Sequence, residues 1–269
     1  MVASLGPMTQ SDRLTACLIV IGNEVLSGRT RDANIQILGQ RLSEQGIDLV
    51  EARVIPDVEG VIIETIKDCR QRHDVVFTSG GIGPTHDDIT AVAVAKAFGV
   101  ELRLDPRAEA LLRKHYKPED INAARLKMAH IPAGAGLIAN PVSQAPGFSL
   151  ENVHVMAGVP RIFEAMLDGL LPTLPGGMPR QSRTVAAYLP EGHLAGPLAA
   201  LQNKFPGTEI GSYPFVRDGK LGAALVARSM DPVELDAVVN GLCEVIRSLG
   251  GEPLMDTDPR SNFDPRGNP

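Results

Sequence analysis

DVVFTSGGIGPTHDDIT, residues 74–90, is the stretch whose reading decides the fold. Val75, Val76 and Phe77 form a short continuous apolar run, the look of a strand covered on both faces. The run ends in Gly80, Gly81 and Gly83. Ile89, Val92, Ala95 and Ala97 then follow at helical spacing. A buried strand that turns through glycines into a helix is the repeating unit of a parallel α/β sheet. On its N-terminal side the same grammar appears twice. ACLIVIG (16–22) leads into a helical pattern over 32–45, closed by Gly46. IDLVEARVI (47–55) leads into VEGVIIETIKDC (58–69). Strand and helix therefore alternate three times, which predicts a doubly wound, mostly parallel sheet between helical layers. Further helical stretches are read at 105–116, 120–129 and 160–172, with short strands near 136–139 and 152–156.

PTLPGGMP (172–179) reads as a linker, with three prolines and two glycines in eight residues. Beyond it the order changes. RTVAAYLP is strand-like, GPLAALQNKF helical, and TEIGSYPF and KLGAALVARS are strands. DPVELDAVVNGLCEVIRSLGG is a helix with Asp231 as cap and Pro232 at its first position. This predicts a three-layer α/β domain over 15–172 and a small α+β, ferredoxin-like lobe over 180–254. Residues 1–14, polar or small for the most part, read as a flexible tail, and 255–269 as a disordered one, for want of aliphatic residues to bury.

Composition narrows the function. Of 269 residues, 43% are hydrophobic and 22% charged, enough apolar material for a core. The net charge of −6 argues against a general nucleic-acid coat, so an anionic ligand has to be held by a local site. Cys17, Cys69 and Cys243 are scattered and read as buried reduced thiols. No apolar run reaches the ~18 residues of a bilayer span, and the start has no long apolar signal region. A cytoplasmic location with no membrane partner is the expectation.

The glycine loop lies where a parallel strand hands over to a helix, the edge at which α/β sheets bind ligands. Gly80, Gly81 and Gly83 let backbone N–H groups approach a phosphate, and the helix start adds a favourable field for anions. Thr85 stands beside them, and so do Asp87 and Asp88. Two carboxylates repel a phosphate unless a hard cation intervenes, so Mg²⁺ or another divalent ion is implied. The competing reading makes Asp87 or Asp88 a helix cap. Gly22, Glu24, Asp32 and Asn34 leave the first strand and are expected on the same sheet edge.

GNEVLSGRTRDANIQILGQRL, TSGGIGPTHDDIT, NPVSQAPGF and MAGVP together resemble the MoaB/Mog molybdopterin-binding domain family over about residues 15–172. The resemblance is above all to the N-terminal part of the competence/damage-inducible protein A family, and extends to the domain fused to some FAD synthases. It implies a role for Gly80, Gly81 and Gly83 in holding phosphate and nucleotide. It implies that Asp88 and Asp32 are catalytic and metal-linked, and that Gly158 and Pro160 help hold the pterin or nucleotide. Two departures fall at the implied pocket: Ala157 where relatives carry Pro, and Ser143-Gln144 where they carry Gly-Thr. The chemistry implied is substitution at phosphorus. Hydrolysis of a pyrophosphate such as ADP-ribose is favoured over adenylyl transfer to molybdopterin, as in molybdenum cofactor biosynthesis, and over non-catalytic pterin or nucleotide binding. A homo-oligomer, dimer or trimer, is expected, with LGAALVA (221–227) as its contact strand.

Overall fold

The computed structural model describes residues 14–177, 179–217 and 219–255. The chain divides into two compact units between Gly177 and Met178. In the first, a six-stranded sheet has the order β2-β1-β3-β8-β7-β6. Strands β1 (Thr15–Ile21), β2 (Asp48–Ile55), β3 (Val75–Ser79) and β8 (Val153–Met156) are mutually parallel. β7 (Gly147–Leu150) and β6 (Gly136–Ile138) complete the edge antiparallel.

The pleat sorts β1 between two cores. Cys17, Ile19 and Ile21 face α3 (Glu59–Arg72) and α4 (Thr90–Phe98), packing on Ile62, Ile66, Ala93 and Val94. Ala16, Leu18 and Val20 face α2 (Asn34–Glu44) and α7 (Pro160–Leu170), packing on Leu38, Leu42, Phe163 and Leu167. Both faces of the strand are buried, which is why its sequence is a continuous apolar run with no alternation. The result is the expected three-layer sandwich.

The second unit is a four-stranded antiparallel sheet of order β10-β11-β9-β12. Its strands are β9 (Gln181–Ala187), β10 (Glu209–Arg217), β11 (Lys220–Ser229) and β12 (Leu254–Met255). Helices α8 (Glu191–Lys204) and α9 (Pro232–Ser248) cover one face through Leu194, Leu198, Leu235, Leu242 and Ile246. This is the ferredoxin-like order, completed by β12.

Several expectations are corrected. Leu14 is not tail: it packs beside Leu18, and its carbonyl accepts from the Asp48 amide at 2.9 Å. Met255 is likewise strand, paired with Val185. The rest of both tails lies outside the described residues. LGAALVA cannot be an edge contact, because β11 is paired on both sides and Ala223–Ala227 are buried. The helix read over 120–129 shrinks to α6 (Ala123–Lys127), because the Asn122 side chain caps it late, on the Arg125 amide. An antiparallel pair, β4 (Leu102–Leu104) with β5 (His130–Pro132), is additional. Three-residue strands containing Arg103 and Pro132 are too short to show a period.

α5 (Pro106–His115) opens on buried Asp105, whose carboxylate accepts from the Arg107 and Ala108 amides and pairs with the Arg107 guanidinium. The guanidinium and these amides hold its carboxyl down to about 2. A carboxyl depressed on folding stabilises above its unfolded value of about 4, and that contribution is lost as pH falls through 2. Asp105→Asn keeps the cap but removes the charge. Urea midpoints between pH 5 and 2 should therefore fall less steeply for this variant than for the parent.

Candidate functional site

Three strand ends meet at the carboxyl edge of the parallel sheet: Gly22 after β1, Gly80 after β3 and Gly158 after β8. The order reverses between β1 and β3, so the helix following β1 lies on one face and the helix following β3 on the other. A crevice at that point is where open α/β sheets take ligands.

Gly80 and Gly81 are glycine for a geometric reason. Their φ angles are +108° and +67°. A Cβ at Gly80 would stand 2.2 Å from the Ile21 carbonyl oxygen, and one at Gly81 would stand 2.1 Å from Thr90 Oγ1. No side chain fits without moving backbone. The loop is pinned from behind by the Thr90 amide on the Gly81 carbonyl at 3.0 Å and by Thr90 Oγ1 on the Gly80 carbonyl at 3.1 Å. Gly158 lies against Gly80, with 3.2 Å between its would-be Cβ and the Gly80 Cα.

Asp88 does not cap α4. The helix starts after Ile89, and no side chain bonds its first amides. Instead the half-buried Asp88 turns back, and its Oδ2 accepts from the Thr85 amide at 2.8 Å and the Thr85 hydroxyl at 2.5 Å. The same hydroxyl lies 2.5 Å from Asp87 Oδ1, and this bond holds the exposed Asp87 carboxyl below its usual range. Lys127, which sequence reasoning passed over, donates its Nζ to the Thr85 carbonyl. A cavity of about 220 Å³ opens here, with Gly81, Gly83, Asp88, Lys127, His130 and Phe148 among its walls. Pro146, beside the departing Ser143-Gln144 pair, also lines it. Gln144 itself is left-handed, with φ +60°. His86 is fully exposed.

The remaining predicted residues stand outside that cavity. Asp32 is half-exposed, and its Oδ1 caps α2 by accepting from the Ile35 amide at 2.9 Å. Glu24, in the short helix α1 (Asn23–Leu26), is exposed and folds its carboxylate over Gly22. Gly158 and Pro160 are exposed at the start of α7, with Pro160 at its first position. The carboxylates are thus at the surface of the crevice rather than in the core.

Asn34 is the residue whose role the sequence did not disclose. It is 2% exposed. Its Nδ2 donates to Ser79 Oγ at 2.6 Å and to the Gly158 carbonyl at 2.8 Å, joining α2 to the ends of β3 and β8. Because a carbonyl only accepts, this orients the amide. Its Oδ1 is left buried without a hydrogen-bond partner. An asparagine beside Asp32 reads as a capping residue in sequence, so nothing local marks it out.

Residues 17–176 match the family model described as "Probable molybdopterin binding domain". The chain belongs to that molybdopterin-binding family. Residues 179–249 match a second model, the middle domain of FAD synthase. A protein of Aeropyrum pernix is 34% identical over 262 residues, covering 88% of this chain and 97% of that relative. A CinA-like protein of Desulfosudis oleivorans is 32% identical over 255 residues, covering 90% of this chain but 61% of its own length. The solved structure of Thermoplasma acidophilum protein CinA, described as of unknown function, superposes with a TM-score of 0.57 at 36% identity. It covers 60% of this chain and 98% of that one. The family read from the four sequence motifs is the family found. Among the described residues, no helix of this molybdopterin-binding family member is long and apolar enough to cross a membrane.

Asn34→Ala strands Ser79 Oγ and the Gly158 carbonyl in a buried place. It should cost ~1–3 kcal/mol in urea unfolding, on the scale of an unsatisfied buried group. Loss below ~0.5 kcal/mol would mean that the strand ends hold together without it.

Proposed function

We propose that this chain binds a phosphate-bearing nucleotide or pterin along the glycine loop and, with a divalent cation, hydrolyses a pyrophosphate bond of the ADP-ribose type. The observation that carries the reading is the start of α4. Its first amides have no side-chain cap, the loop before them is bare backbone, and the one carboxylate placed to cap them is turned away into the cavity wall. The Thr90 amide is spent on the Gly81 carbonyl, but the next amides of the first turn have no side-chain cap, and such amides at a glycine turn are an anion site. A carboxylate kept beside an anion site has a purpose if it holds a cation.

The donors suit a hard ion. Asp88 uses Oδ2 on Thr85 and Asp32 uses Oδ1 on α2, so each keeps one oxygen free of a hydrogen bond. These oxygens would hold Mg²⁺, which prefers carboxylate ligands and shares its shell with phosphate. When bound, the ion supplies neutralisation of charge on the phosphoryl oxygens. The protein's own groups do the rest. Loop and helix amides stabilise the same charge from fixed positions. Lys127 adds a positive charge at the cavity. In the hydrolysis, water forms a new bond to phosphorus as the bridging P–O bond breaks, giving AMP and ribose 5-phosphate from ADP-ribose.

The purified chain is to be incubated with ADP-ribose, FAD, or ATP plus molybdopterin, with and without Mg²⁺. Metal-dependent release of AMP from ADP-ribose supports the proposal. Adenylylated pterin in its place makes the chain an adenylyltransferase, and tight binding with no turnover makes it a binding module. Asp88→Asn should lower turnover by ~10²-fold or more, as when an electrostatic contributor to a transition state is removed. Its amide oxygen still accepts from Thr85, so thermal stability should hardly move. Asp87→Asn, on an exposed side chain bonded only to the Thr85 hydroxyl, should lose far less. Equal losses in the two variants would overturn the assignment of Asp88.

A further inference from the structure

The fold assembles a second chemical cluster at the opposite end of the strands from the glycine loop, towards their amino ends. Cys17 in β1 is paired in register with Glu51 in β2, so the two side chains share a face. Cys69 lies in the last turn of α3, and His73 ends that helix just before β3. One donor atom each from Cys17, Glu51 and His73 lies within 4.8 Å of the others. Among the described residues Cys17, Glu51 and His73 are the one group of three or more His, Cys, Asp and Glu side chains set that close. A fourth donor, Cys69 Sγ, stands beside that group, 3.6 Å from Cys17 Sγ. Asp32 and Asp88 have no part in it.

We propose that Cys17, Cys69, His73 and Glu51 form a structural site for a zinc-class divalent cation, separate from the ligand crevice. The donor set is two soft sulfurs, one imidazole and one carboxylate, which is zinc chemistry rather than magnesium chemistry. The spacing agrees. Two thiolates each about 2.3 Å from a tetrahedral zinc stand about 3.8 Å apart, close to the observed sulfur separation. No disulfide joins them; both are free thiols.

Polar bonding and charge fit as well. His73 is 9% exposed, and its Nδ1 is buried with no hydrogen-bond partner, while its Nε2 lies 2.8 Å from Glu51 Oε2. Opening that contact frees the ring, while Glu51 Oε2 keeps only the Arg72 guanidinium at 3.5 Å. Glu51 Oε1 stays bonded to Arg53 Nε at 2.6 Å, which orients the carboxylate as a ligand's outer partner does. Arg53 and Arg72 bring two positive charges to the cluster, and Glu51 and Asp68 bring two negative ones. A divalent ion that displaces the two thiol protons therefore leaves the net charge unchanged. The balance is one M²⁺ taken up, two S–H bonds exchanged for two metal–sulfur bonds, and two protons released. No electron moves.

The test uses the full chain, reduced and freed of metal with a chelator, then titrated with Zn²⁺ and separately with Co²⁺. One metal per chain is expected to bind with release of two protons and with sulfur ligation; any metal taken up at Asp32 and Asp88 brings neither. The cobalt form should show a sulfur-to-metal charge-transfer band and the intense visible bands of a tetrahedral site. Zinc should raise the melting temperature. His73→Gln, changed at the rim of the cluster, should weaken zinc binding by more than ~100-fold, the upper range for loss of an outer partner. Cys69→Ser should abolish the charge-transfer band. Asp88→Asn should leave binding and band intact. A cobalt spectrum without sulfur charge transfer, unchanged zinc affinity in His73→Gln, or loss of the signal in Asp88→Asn overturns the proposal. None of these outcomes bears on phosphate chemistry at the glycine loop, so the two proposals fail separately.

Discussion

A single buried side chain ties the carboxyl edge of the sheet together. Asn34 reaches from the first residue of α2 to Ser79 Oγ and to the Gly158 carbonyl, crossing from the helix after β1 to the ends of β3 and β8. Three strands that hand over to three helices would otherwise end in independent loops. In the low-dielectric interior such bonds are strong, and leaving their partners unmade is expensive. The arrangement therefore holds Gly158 against Gly80 and fixes where the glycine loop starts. Everything proposed for the crevice depends on that placement.

From there the loop is built by close approach. Gly80 sits on the Ile21 carbonyl and Gly81 on Thr90, so the chain has room for backbone and nothing else. Beyond the Thr90 amide, which pins the loop, an uncapped helix start leaves amides that attract anions. Asp88 would undo this if it capped α4. Its tie to Thr85 keeps it aside, and Lys127 fixes the Thr85 carbonyl from the other direction. The mainly apolar cavity beside it joins an aliphatic and aromatic wall to one carboxylate and one ammonium, the mixture that orients small ligands.

The two ends of the parallel strands separate two kinds of chemistry. Hard oxygen donors and backbone amides gather at the carboxyl ends of the strands. Sulfur, imidazole and a carboxylate gather towards the amino ends, where β1, β2 and the end of α3 converge. Cys17 and Cys69 are 52 positions apart, so their meeting follows from helix α3 packing back on β1 after its strand partner. Parallel topology makes that return obligatory, since the helix must cross the sheet to start the next parallel strand.

The sequence by itself determined the architecture of the first unit and the place of its ligand loop. Residues buried on both faces are mostly apolar, so 16–22 and 75–77 could be read as parts of central strands. Positions with φ above zero and no room for Cβ must be glycine, so 80–83 could be read as a loop pressed against its neighbours. Such constraints act on single residues or short windows, and they leave a local mark. The short strands β4 and β5, the interior position of β11, the linking role of Asn34 and the Cys17–Cys69 pairing left none. Each depends on which distant segment arrives beside it, and an asparagine or a cysteine is compatible with many neighbours. Only the tertiary structure decided that Asp32 caps a helix while Asp88 does not. Both are aspartates at the start of a helical pattern, and what separates them is the direction in which nearby backbone presents its N–H groups.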